Sequence, residues 1–143
     1  MRRSVITAIL LSLLLTPAMA GDGRQYVQLP DRMRDHMLGN MRDHLVALEE
    51  ITRHLATGEY DRASDIAEGR LGISSLELHG ASHLGRFMPK EMGAIGTNMH
   101  RAASRFALAA KDAELDGGLN RAFAALSEVM QQCVACHSVY KVH

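Results

Sequence analysis

The sequence is poor in aromatic residues, with no tryptophan and only three phenylalanines and three tyrosines, so aliphatic and methionine side chains must supply most of a core. It also lacks a charge excess. Lysine plus arginine and aspartate plus glutamate both number 16, which gives no electrostatic case for a nucleic-acid partner. No Gly-rich phosphate loop, serine-nucleophile motif or pair of carboxylates in a cleft-like context stands out, and no enzyme is expected. At 143 residues, 47% of them hydrophobic, the chain makes one modest domain, too short for a two-domain enzyme and too apolar for disorder.

Long apolar runs are missing everywhere except at the N-terminus. There Arg2 and Arg3 precede an apolar stretch from Val5 to Leu15, and Ala18-Met19-Ala20 offers small residues for cleavage. This is the pattern of a secretory signal peptide over residues 1–20, with a core too short to span a bilayer comfortably. Its removal takes two arginines away and leaves residues 21–143 as a single, mildly acidic domain with no stable membrane insertion. The expected location is a bacterial periplasm or an equivalent compartment, where disulfides are permitted.

Strand-like alternation is absent too. Abundant Ala, Leu, Met, Glu and Arg, with apolar residues spaced three and four apart, predict helices. The first runs from about Pro30 to Ala56, with Met33, Met37, Met41, Leu45, Leu48, Ile51 and Leu55 inward, and stops at Thr57-Gly58. A second helical region starts near Asp61, with Ala63, Ile66, Ala67, Leu71 and Leu76 apolar; Gly69, Gly72, Gly80 and Gly85 predict a break or kink in it. After a connection over Phe87 to Pro89, a third helix spans Lys90 to Lys111 on a stripe of Met92, Ile95, Met99, Ala103, Phe106 and Ala110. Beyond the Asp116-Gly117-Gly118 turn, Leu119, Phe123, Leu126, Met130, Cys133, His137 and Tyr140 form a clean heptad. Four amphipathic segments with short connections predict an all-α, antiparallel four-helix bundle. The echo of Met33-Arg-Asp-His-Met37 in Met41-Arg-Asp-His-Leu45 is local helix patterning.

Cys133-Val-Ala-Cys136-His137 has the spacing of a c-type haem attachment site, in which two thiols bond the porphyrin and the adjacent histidine ligates iron. On a helix, residues three and four apart share a face, which here is the expected core stripe. A disulfide between Cys133 and Cys136 would staple almost nothing. A thioredoxin-type pair needs a preceding strand, and zinc needs further ligands from distant histidines. Only six residues follow His137, so any sixth iron ligand must come from upstream.

With the motif in the last helix near the C-terminus, the chain resembles the class II c-type cytochromes: the cytochrome c prime family and its low-spin, methionine-ligated relatives. Cys133, Cys136 and His137, followed by Tyr140 and Lys141, carry the resemblance; the Gly-rich second segment departs from it. It implies one covalent haem c near the C-terminal end of the last helix, and electron transfer to redox protein partners. The alternative is a five-coordinate, high-spin cytochrome c prime binding nitric oxide or carbon monoxide. A homodimer is left open.

Met33, Met37 and Met41 form a slowly winding stripe whose bland reading is core filling, but the low-spin relatives draw their sixth ligand from this helix. Levelling the ends of antiparallel first and last helices points to Met33 or Met37. Counting back from the Thr57-Gly58 turn, as the resemblance suggests, selects Met41, with Met37 as alternate. His36, His44 and His54 fall off the apolar stripe and are expected in solvent. His79 and His83 suit polar or capping roles better than a metal. Met88, Met92, Met99 and His100 support a third, less favoured reading: a haem-free, exported copper-binding helical protein. That reading leaves the Cys-x-x-Cys-His motif unexplained.

Overall fold

The computed structural model describes residues 21–142; the expected signal peptide lies outside the described residues. Helices dominate: α1 over Asp31–Thr57, α2 over Tyr60–Arg70, a short α3 over Ala81–Leu84, α4 over Lys90–Asp116 and α5 over Leu119–Val139. The protein is all-α in class, and among the described residues no helix is long and apolar enough to cross a membrane.

The two longest helices are punctuated alike. Each has 27 residues, a proline at its N-cap (Pro30, Pro89) and a glycine just past its end (Gly58, Gly117). Proline's fixed φ suits a helix start, where its missing N–H costs no hydrogen bond. Gly58 (φ 77°) and Gly117 (φ 71°) adopt the left-handed conformation that closes the last turn, which other residues reach only with strain. Helix α4 therefore continues past the expected Lys111 until Gly117 stops it, with Ala113 buried on the added turn.

The glycine-rich second segment does break. Helix α2 ends at Arg70, and a 3-10 turn over Ile73–Ser75 and the four-residue α3 lead on to α4. Two residues at each end of the domain form a parallel pair, β1 over Gln25–Tyr26 and β2 over Tyr140–Lys141. A pair this short has no room to show alternation, so the sequence pattern could not announce it. It ties the start of the domain to the end of α5. Val27 N–H donates to the Lys141 carbonyl at 2.9 Å, Arg24 donates to the His137 carbonyl at 3.3 Å, and Lys141 pairs with Asp22 at 3.4 Å.

Packing runs from α1 to α2, α2 to α4 and α4 to α5. One apolar cluster joins Ile51 and Leu55 of α1 to Ala63 and Ala67 of α2, Phe106 and a row of alanines on α4, and Leu126 and Val129 of α5. Alanine at so many contacts lets the helices approach closely, and Phe106, fully buried, fills the middle. Phe106→Ala should cost about 3 to 5 kcal/mol, a large part of the ~5 to 15 kcal/mol that holds such a domain together. Urea unfolding would read this as a lower midpoint with a similar slope. A second cluster holds Val27, Leu29, Met37, Leu84, Met92 and Tyr140, with Met33, Met41, Met88 and Cys136 packed against it.

Two stripes turn out rotated. Leu45, expected inward, is 69% exposed, while His44, expected in solvent, is 8% exposed. Stepping by four advances about 40° around a helix each time, so Met33-Met37-Met41-Leu45 winds off its own face. On α5 the buried line is Ala122, Leu126, Val129 and Tyr140, with Cys133 and Cys136 partly buried; Phe123 and Met130 are exposed. Both lines are regular heptads sharing Leu126, Cys133 and Tyr140. The smaller residues win the interior because the alanine-rich face of α4 admits Ala122 and Val129.

Candidate functional site

The last turns of α5 carry Cys133, Cys136 and His137. Both cysteines are free thiols and partly buried. Burial pushes both thiols up from their ordinary range, and Cys136 is raised further by the neighbouring Cys133. They are therefore protonated and poorly nucleophilic at neutral pH. The Cys133 Sγ points to the Val129 carbonyl, 3.6 Å away, and packs against the first apolar cluster; Cys136 packs against the second. His137 is exposed, and among the described residues its ring has no hydrogen-bond or ion-pair partner. It lies on the outer heptad line with Phe123 and Met130, and Val134 one turn back is also exposed. The shared face expected of the three residues is thus split: two sulfurs turn inward and the imidazole turns out.

Cys136 lines a cavity of about 320 Å³ between α1, α4 and the segment joining α2 to α4. Met37 and Met41 line it from α1, and Met88 and Met92 line it from the opposite side. Met37 is buried and Met41 partly buried. Gly93 and Gly96 face the same space from within α4, and a Cβ built on either meets no atom within 4 Å. Glycine inside a helix costs about 1 kcal/mol relative to alanine, yet here it leaves open volume rather than close packing. The donor set and this cradle fit a covalently held haem: two thiols and an imidazole within five residues, beside an apolar, thioether-lined space with its floor kept bare. His137 does not line the cavity, so a group held by Cys136 and His137 together would sit at the rim of that space.

Histidines line the deeper wall, a feature missed because His44, His79 and His100 are far apart in sequence. Their ring centroids lie 4.8 Å (His44 to His79), 5.2 Å (His79 to His100) and 6.3 Å (His44 to His100) apart. His100 donates its Nδ1–H to the Leu71 carbonyl at 2.7 Å. Asn40 donates to the His79 carbonyl at 3.2 Å. The Nε2 of His44 and the Nδ1 of His79 are buried without any hydrogen-bond partner. His83, four residues from His79, stays outside this group and is exposed.

Burial, then the nearby His79 and His100, pushes His44 down to about 4. Burial also lowers His79 and His100. Each of these rings takes up its proton more readily when unfolded, so stability is full above about pH 6.5 and falls as the pH drops toward 4. The expected slope from His44, which carries the large shift, is about 1.4 kcal/mol per pH unit. Urea midpoints between pH 7 and 4.5 should show this decline, and His44→Gln should flatten it.

Among the described residues, no three His, Cys, Asp or Glu side chains converge on one point in an arrangement that holds a metal ion. Compared with models of protein families, with curated proteins and with solved structures, the chain matches none.

Proposed function

We propose that the chain is an exported, monohaem c-type cytochrome of the class II kind, an antiparallel four-helix bundle that carries electrons between redox proteins. One observation carries the reading: Cys133-x-x-Cys136-His137 ends the last helix, and Cys136 opens onto a thioether-lined cavity that Gly93 and Gly96 keep free. Bound haem would supply a one-electron iron couple.

The chain's own residues have distinct tasks in this reading. Cys133 and Cys136 would hold the group covalently through their sulfurs. Because burial keeps both thiols protonated, attachment calls for a maturation system rather than spontaneous reaction. His137, exposed on α5, would hold the iron through a ring nitrogen, and its exposure leaves that side of the helix accessible to a partner protein. Its apolar neighbours Met130 and Val134 suit such a contact. Met41 would supply the sixth ligand, with Met37 as alternate; both line the cavity and pack on the second apolar cluster, and Met41 is the less buried of the two. A thioether opposite an imidazole raises the potential.

The apolar lining would also suit an iron left open on that side, which is the cytochrome c prime alternative. The optical and electron paramagnetic resonance spectra of the exported protein decide between them. The carrier reading expects low-spin ferric iron and slow carbon monoxide binding to the ferrous form. A high-spin signal with rapid carbon monoxide binding would replace it by the gas-binding reading, and a protein isolated without haem would remove both.

A further inference from the structure

Buried His44 and His100, with half-buried His79 beside them, stand between the two apolar clusters. On α1, His44 follows Met41 of one cluster by three residues and precedes Ala47 of the other by three; on α4, His100 directly follows Met99. An unsatisfied buried polar group costs about 1 to 3 kcal/mol, and here two of them, His44 Nε2 and His79 Nδ1, occur on adjacent rings 4.8 Å apart. Hydrophobic residues of similar size would avoid that cost, so the pair calls for a ligand that accepts two nitrogen lone pairs.

We propose that His44 and His79, together with a thioether of the cavity wall, bind one cuprous ion, with His100 packed behind them. His100 is anchored through Nδ1–H to Leu71, which fixes the ring against which His79 rests.

The identity of the ion follows from what surrounds it. Asp43, the carboxylate next to His44 in sequence, is engaged by the Arg70 guanidinium, which offsets its negative charge. A single positive charge is the least costly to bury. Met99, which the haem reading leaves unused, faces the same cavity, and a thioether selects the soft cuprous ion over zinc. Two imidazoles and a sulfur also suffice for an ion that accepts low coordination numbers, consistent with the lack of a convergent set of three His, Cys, Asp or Glu side chains. The site uses neither cysteine and does not depend on haem attachment.

Anaerobic titration of the exported protein with cuprous ion against bicinchoninate tests this. The expected result is one ion per chain, with affinity unchanged in Cys133→Ala/Cys136→Ala and lowered at least ~100-fold in His44→Ala/His79→Ala. Copper-edge X-ray absorption of the wild-type complex should show two imidazoles and a sulfur, and it decides the matter should the histidine variant fail to fold. Unchanged affinity in a folded histidine variant, loss of binding with the cysteines, displacement by equimolar zinc, or a shell without imidazole would each overturn the proposal.

Discussion

Replacing Cys133 and Cys136 together by alanine should abolish retention of haem under denaturing conditions, an all-or-none effect, in protein exported alongside a cytochrome c maturation system. Each thioether contributes a covalent bond that unfolding does not break, so wild-type chain denatured in acid acetone should keep its haem and the double variant should lose any that it carries. The fold should survive the change. Both cysteines are only partly buried, and neither makes a disulfide. Alanine at each removes a single sulfur from the edge of an apolar cluster, a cost of about 1 kcal/mol apiece. Circular dichroism of the variant should therefore remain helical. A single variant, Cys133→Ala or Cys136→Ala, should retain haem through the remaining bond.

Met41→Ala should convert low-spin ferric iron to high-spin, lower the reduction potential and open the iron to carbon monoxide. Stability alone cannot identify the ligand, because a buried methionine costs about 2 to 5 kcal/mol to truncate whether or not it binds iron. Met37 is the buried one of the pair, so Met37→Ala should lose more stability than Met41→Ala while leaving the iron spectrum nearly unchanged. Opposite rankings in stability and in spin state make the two roles separable. A spin change in Met37→Ala alone would move the ligand one turn toward the N-terminus, and two unchanged spectra would remove both methionines.

The helical class and most helix boundaries were legible in the sequence because the chemistry that sets them is local. Pro30, Gly58, Pro89 and Gly117 fix the ends of the two longest helices through φ alone, and no tertiary contact overrides them. The glycines after Leu71 likewise announced the break that the 3-10 turn makes. Which face of α5 turns inward was not legible, since two heptads offset by one position share Leu126, Cys133 and Tyr140. Side-chain size favoured Phe123 and Met130, but the neighbouring alanines of α4 admit only the slimmer line through Ala122 and Val129. The burial of His44 escaped for a related reason: it falls off the line Met33-Met37-Met41-Leu45 that spacing by four suggested, whereas that line winds outward to Leu45 and His44 turns in. Only the folded chain brings His79 and His100 beside it, from 35 and 56 positions further on.

The residues proposed to hold a haem were legible as candidates by contrast, because their spacing along one helix is itself the signal. Where they point was not. His137 faces outward from α5 while Cys136 faces the cavity.

The intact mass of the denatured, exported protein tests the central claim most directly. The account expects one species: the chain from Gly21 to His143 plus the mass of a single haem, unchanged by acid-acetone extraction. A species with the mass of the chain alone, its haem absent or removed by that extraction, would contradict it.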